Sequence, residues 1–143
     1  MIGLAFGQEI DVLERTIQFA GRRHELIAHN IANLTTPNYQ PRDVDPGEFR
    51  ATLAEAVEKR RASHPGQWRQ TSPKDTTHVK FGPESLVLNP APAERNVMFH
   101  DRNDRDLERT MQSLTENAMM YRQAMELLRS RFATLQTAIR LRV

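Results

Sequence analysis

Apolar residues recur at alternating steps of four and three along the C-terminal third of the chain. They are Leu107, Met111, Leu114, Ala118, Tyr121, Met125, Leu128, Phe132, Leu135 and Ile139. With apolar residues making up 38% of the sequence, such a run has a chance probability of roughly 10⁻⁴. The spacing predicts a long helix with a coiled-coil seam, capped at its start by Asn103, Asp104 or Asp106 and ending near Leu141.

The N-terminal part of the chain repeats this spacing, and only His24 interrupts it with a polar side chain. The apolar positions are Ile10, Leu13, Ile17, Ala20, Ile27, Ile31 and Leu34. The predicted helix runs from about Gln8 to Leu34 and ends before Pro37, because a residue that precedes proline avoids the helical conformation. Two long seams at the two ends of the chain predict that these helices pair as a coiled-coil hairpin.

Each predicted helix also carries a second apolar row at intervals of seven. The rows are Val12, Phe19 and Leu26 on the first helix, and Met120, Leu127 and Leu141 on the second, where Thr134 fills the remaining place. A two-helix hairpin buries one seam per helix, so we expect these rows to remain exposed in a monomer and to pack against neighbouring copies. The alternative is a bundle of three or four helices that covers the rows internally.

The middle of the chain differs from its ends, because all eight prolines lie between Pro37 and Pro92. The sequence therefore predicts a mainly α fold with an N-terminal helical region (1–34), a middle segment (35–103) and a C-terminal helical region (104–143). Within the middle segment we expect a short amphipathic helix at about 46–62 and an extended, proline-containing stretch. Short strands at 79–81 and 86–88 fit that stretch, which is long enough to suggest that it orders on a partner.

Composition narrows the function without assigning one. Twenty Lys and Arg against eighteen Asp and Glu leave a formal charge of +2, which gives little reason to expect nucleic acid as a partner. Without cysteine the chain has no disulfide and no thiolate site. The first residues lack a positively charged start and a continuous apolar run, so we expect any export to use a route other than a cleaved signal peptide.

A motif at the end of the first helix resembles the signature of the flagellar rod, hook and hook-associated axial proteins. The segment reads Ala28-His29-Asn30-Ile31-Ala32-Asn33-Leu34-Thr35-Thr36-Pro37-Asn38-Tyr39. The resemblance rests on Asn30, Ile31, Ala32, Asn33, Thr36, Pro37 and Tyr39. Asn38 stands where glycine is usual in that family, and asparagine is the side chain that best tolerates a left-handed backbone, so we expect the turn to be kept.

The short chain and its C-terminal helix resemble the small proximal rod proteins of that family. The resemblance implies a structural subunit of the flagellar basal body, located in the periplasm-spanning rod, which reaches its place through the type III export apparatus. Its partners would be further copies of itself, other rod proteins and the junction with the membrane ring. It would polymerise through its terminal helices, along the two seams, and transmit torque to the distal rod and hook.

Other kinds of site are poorly supported. The sequence contains none of the catalytic motifs sought, so we expect no enzyme activity, no cofactor and no small-molecule substrate. His24 and His29 are five residues apart and point to different sides of a helix, which disfavours a shared metal site. Two other functions stay open: a helical adaptor or secretion chaperone that holds a client, and a small DNA-binding helical protein.

Overall fold

The computed structural model describes residues 2–62, 73–83, 85–93 and 106–141. Its elements in chain order are α1 (Ile2–Ala32), β1 (Arg42–Asp43), α2 (Pro46–Ala62), β2 (Val79–Phe81), β3 (Leu86–Leu88), β4 (Ala91–Pro92) and α3 (Leu107–Arg140). The predicted mainly α fold is confirmed, with long terminal helices and a short middle helix. The middle helix and the strands β2 and β3 lie where the sequence placed them.

The two long helices begin and end for local reasons. α3 begins after Asp106, whose Oδ1 accepts a hydrogen bond from the backbone N of Arg109 at 3.0 Å, as helix capping requires. Asn103 and Asp104, the other candidate caps, lie outside the described residues. α1 begins at Ile2, earlier than predicted, and ends at Ala32, where the chain enters a series of turns.

α1 and α3 pack against each other as an antiparallel pair, as predicted. Two contacts set their register. Near one end, Arg131 Nε lies 2.9 Å from Glu9 Oε2. Near the middle, the side-chain Nδ2 of Asn117 donates to the backbone O of Ala20 at 2.8 Å.

The face through which α3 packs differs from the predicted seam. The buried residues of α3 are Asn117 and Ala124. At 3.6 residues per turn, the predicted seam lies about 70° round the helix axis from these two residues. Small and amide side chains at these two positions let the helix backbones approach, and Asn117 adds a hydrogen bond to the neighbouring main chain. The helices therefore pair, while one flank of the α3 seam stays open.

The second row of α1 is buried, so the prediction that it remains exposed is wrong. Phe19 is fully buried in a core that it shares with Val44, Phe49, Leu53, Val79 and Leu86, and Val12, Leu26 and Met120 pack against this core. The rings of Phe19 and Phe49 stack with centroids 4.1 Å apart. On α3, Leu127 and Leu141 do remain exposed. The middle segment covers the second row of α1, because its helix and strands supply the apolar side chains that pack against that row.

The expectation that the extended stretch orders on a partner is also wrong for its described parts. β2 pairs with β3 as an antiparallel hairpin, and β4 returns to pair with β1. The hairpin turn requires glycine, because a Cβ on Gly82 would lie 2.7 Å from the backbone O of Ser85. Both ribbons lie on α1. Arg15 of that helix donates from its Nη2 to the backbone O of Pro83, beside the hairpin turn, at 3.0 Å.

Gly21 lies in the middle of α1 with open space around it, since a Cβ built there meets no other heavy atom within 4 Å. We expect Gly21→Ala to raise the free energy of unfolding by about 0.5–1 kcal/mol, because alanine removes the conformational entropy cost of glycine in a helix. Thermal unfolding followed by circular dichroism measures this change. Ala28→Gly, an exposed site on the same helix, is the matched control and should lower stability by a similar amount. A melting temperature below that of the wild type for Gly21→Ala would contradict the finding that a Cβ at position 21 has room.

Candidate functional site

The turn after α1 adopts the conformation that its sequence predicts. Asn38 has a φ of 59°, and it is the only residue other than glycine with a positive φ in the part of the chain that the structure describes. Backbone hydrogen bonds from Thr36 N to Asn33 O (3.0 Å) and from Tyr39 N to Thr36 O (3.2 Å) close successive turns. Asparagine thus replaces the usual glycine without loss of the left-handed turn.

Asn30 joins this turn to the first strand. Its side chain is 5% exposed, its Nδ2 donates to the backbone O of Arg42 at 2.7 Å, and its Oδ1 accepts from the backbone N of Arg42 at 3.2 Å. The amide therefore pairs with both main-chain groups of Arg42 as a neighbouring strand would. The hydroxyl of Tyr39 donates to the same Oδ1 at 2.8 Å.

Asn33 has a different role from Asn30. Its Nδ2 donates to the backbone O of His29 at 2.9 Å, which satisfies a carbonyl in the last turn of the helix. Its Oδ1 accepts from the hydroxyl of Thr36 at 3.4 Å. One signature asparagine therefore closes the helix end, and the other docks the chain that follows.

Tyr39 is held between α1 and the turn. Its hydroxyl lies 3.0 Å from His29 Nδ1, and the two rings are 5.9 Å apart. Partial burial raises the pKa of Tyr39 above its ordinary value, an effect that the charge of Arg42 opposes. The phenol stays protonated near neutral pH and remains the donor to Asn30.

Sequence reasoning missed the ion pair between Arg23 and Asp43. Arg23 Nε donates to Asp43 Oδ1 at 2.8 Å, and Nη2 donates to Oδ2 at 2.5 Å, which is the bidentate geometry of strong arginine–carboxylate pairs. Arg23 is buried, and it precedes Asn30 by seven residues, so both face the same side of α1. That spacing is the signal that could have revealed the pair. Together, Arg23 and Asn30 hold β1 on α1.

The other signature residues lie around this junction. Ile31 is half-buried at the helix end, whereas Ala32, Thr36 and Pro37 are exposed. Their exposure leaves the outer side of the turn available for contact with another chain.

The predicted assembly residues fall into three classes of burial. On α1, Ala20 and Ile27 are buried and Ile10, Leu13, Ile17 and Ile31 are half-buried. On α3, the half-buried positions are Leu114, Ala118, Met125, Leu128 and Leu135. The exposed positions, which we call the open stripe, are Leu107 (45%), Met111 (45%), Tyr121 (39%), Phe132 (47%) and Ile139 (67%).

The open stripe faces away from the middle segment. Met120 packs against the core beneath that segment, and the stripe lies about 120° round α3 from Met120 at 3.6 residues per turn. The half-buried seam residues of α1 border the same side of the helix pair. One side of the α1–α3 layer is thus covered by the middle segment, and the other presents apolar side chains to solvent.

Comparison with known proteins decides the family. No protein-family model matches the sequence. The flagellar basal body rod protein FlgB of Proteus mirabilis (strain HI4320) is 31% identical over 124 residues, which cover 78% of this chain and 84% of that protein. The chain belongs to the FlgB family of flagellar basal body rod proteins. FlgB of Cereibacter sphaeroides (strain ATCC 17029) is 30% identical over 94% of this chain and 96% of its own length, and FlgB of Escherichia coli (strain K12) is 27% identical over 80% of each.

Membership in the FlgB family confirms the resemblance seen in the signature turn. The chain is a structural subunit of the flagellar basal body rod, and the matching relatives lend no support to a helical adaptor, a secretion chaperone or a DNA-binding protein. None of the described helices combines the length and the hydropathy that a membrane span requires. In the described residues, no three His, Asp or Glu side chains converge to hold a metal ion.

Proposed function

We propose that this chain polymerises in the proximal part of the rod through the open stripe on α3, together with the seam residues of α1 that border it. The observation that carries the proposal is the exposure of Tyr121, Phe132 and Ile139 along one flank of α3, next to the face that packs against α1. Soluble monomers seldom expose a contiguous apolar surface of this length. Full burial of a large apolar side chain contributes about 1.5–3 kcal/mol, and these side chains, which are about half exposed in the subunit, would contribute roughly half of that each on assembly.

The partners of this surface are further copies of the chain and the other rod proteins, with the membrane-ring junction at the base of the rod. Long helices laid side by side along a cylinder would transmit torque toward the distal rod and hook, because packed side chains resist sliding. The mainly α fold suits passage through the type III export apparatus as an extended chain, because its helices rest largely on local contacts that re-form quickly. The function is mechanical, and no step of it needs a cofactor.

The experiment that tests this proposal is rod formation in a strain that lacks the gene, restored with the wild type, with Phe132→Asp or with Ala133→Asp. Phe132 is on the open stripe and half exposed, so the aspartate should leave the fold intact and abolish rods and swimming. Ala133 is the next residue, is exposed and points about 100° away, so its variant should restore both. Basal bodies are scored by electron microscopy and the exported protein by immunoblot. Normal rods with Phe132→Asp would refute the role of the stripe.

A further inference from the structure

A cleft between α2 and α3 forms a second apolar surface on this subunit. Its volume is about 730 Å³, and its lining combines apolar Val12, Leu53, Val57 and Met120 with charged Arg23, Arg50, Glu58, Arg61 and Glu116. Met119 lies at its mouth with 58% of its side chain exposed. Methionine side chains are flexible and adapt their shape to a partner. The cleft is therefore suited to accept a side chain from outside.

The lining of this cleft contains an unpaired polar atom. Asn117 is 1% exposed and uses its Nδ2 on the backbone of α1, but its buried Oδ1 has no hydrogen-bond donor among the described residues. A buried carbonyl oxygen without a donor costs free energy, and buried groups in native proteins almost always find partners. An incoming side chain with a donor would satisfy this oxygen if it displaced the atoms that shield it from the cleft.

The cleft and the open stripe lie on nearly opposite sides of α3. Met119 and Leu127 are the exposed apolar residues on the cleft side, and they lie about 140–160° round the helix from the stripe. A contact between them cannot form within one molecule. It can form between two copies, and the pair then still has one free cleft, on the first copy, and one free stripe, on the second.

We propose that the open stripe of one copy docks into the α2–α3 cleft of the next, with Tyr121 inserted beside Asn117. This inference rests on the proposed polymerisation and names its contact. Tyr121 combines a large apolar ring with a hydroxyl donor, which matches a partly apolar cleft whose lining residue Asn117 has an unpaired acceptor. For the hydroxyl to reach Asn117 Oδ1, which is buried, a neighbouring side chain such as Met120 must move aside.

The contact is heterologous, because it joins two different surfaces. Heterologous contacts produce rings or helical filaments, whereas a contact of the stripe with itself would stop at a two-fold dimer. The proposed docking therefore explains how one kind of subunit can continue an array.

Cysteine cross-linking tests the pairing, because the natural chain has no cysteine. Met125→Cys places a thiol one helical turn from Tyr121, and Met119→Cys places one at the mouth of the cleft. With a short bis-maleimide reagent, a mixture of the two purified variants should give a cross-linked dimer, and a chain with both changes should give a ladder of larger species. Lys80→Cys, exposed on β2, is the control for random collision.

Removal of the Tyr121 hydroxyl tests the hydrogen bond. Tyr121→Phe, introduced into the same cysteine pair, should lower the yield of the mixed dimer about fivefold, because the acceptor in the cleft loses its donor. The melting temperature of the uncross-linked subunit should not change. An unchanged yield would overturn the placement of Tyr121 beside Asn117.

Two outcomes would overturn the stripe-to-cleft contact itself. In the first, Met125→Cys alone gives as much cross-linked dimer as the mixture of Met125→Cys and Met119→Cys. In the second, that mixture gives no more dimer than a mixture in which Lys80→Cys replaces one of the two variants. Self-cross-linking would leave the stripe as an assembly surface that pairs with its own kind. The proposed function fails separately, if Phe132→Asp supports normal rods.

Discussion

Replacement of Phe49 by alanine is expected to lower the free energy of unfolding by about 3–5 kcal/mol, which is a large share of the stability of a chain this small. Phe49 is fully buried. Its ring stacks on Phe19 at 4.1 Å and lies 6.1 Å from that of Phe81. Alanine removes this burial and leaves a cavity at the point where α1, α2 and the β2–β3 hairpin meet. Urea denaturation followed by circular dichroism measures the change.

Val87→Ala is the matched control for this core substitution. Val87 is on β3 but is 55% exposed, so its truncation should cost about 0.5 kcal/mol or less. Equal losses for the two variants would show that Phe49 is not packed as described. If the middle segment detaches while the helix pair persists, Phe49→Ala should unfold in two steps where the wild type unfolds in one.

Asn30→Leu is expected to lower the free energy of unfolding by about 2–4 kcal/mol. Leucine is similar in size, but it removes the hydrogen bonds to both backbone groups of Arg42 and the acceptor for the Tyr39 hydroxyl. Each bond contributes about 1 kcal/mol, and main-chain groups left unpaired in a buried site add to the loss. Chemical denaturation at neutral pH measures it.

The second signature asparagine supplies the control. The side chain of Asn33 bonds to His29 and Thr36 at the exposed end of the helix, so Asn33→Leu should cost about 1 kcal/mol or less. A loss for Asn33→Leu that matched or exceeded that for Asn30→Leu would contradict the assignment of the docking role to Asn30.

The fold was predictable where a local rule determines it. The spacing of apolar residues predicted the two long helices. Pro46 and the basic run before Ala62 predicted where α2 begins and ends. The short alternating runs predicted β2 and β3. The left-handed turn at Asn38 followed from side-chain sterics. These features depend on residues close in the sequence, which is why sequence reasoning reached them.

The packing arrangement was harder to predict. A seam repeating every 3.5 residues drifts by about 20° per heptad round a straight α-helix, so the apolar spacing does not fix which flank of α3 meets α1. The decisive residues, Asn117 and Ala124, are polar or small and carry little hydrophobic signal. The Arg23–Asp43 pair joins residues that are 20 positions apart in the chain. Both side chains are charged, so hydropathy predicts that both are exposed.

The antiparallel register of α1 and α3 determines how the subunit would respond to force. A pull along the helix axes loads the Glu9–Arg131 and Asn117–Ala20 contacts in shear, together with the apolar side chains between them. Contacts loaded in shear share the force, whereas contacts peeled from one end break one at a time. The subunit is therefore stiffest along its helices and weakest where a force would lift the middle segment away from α1.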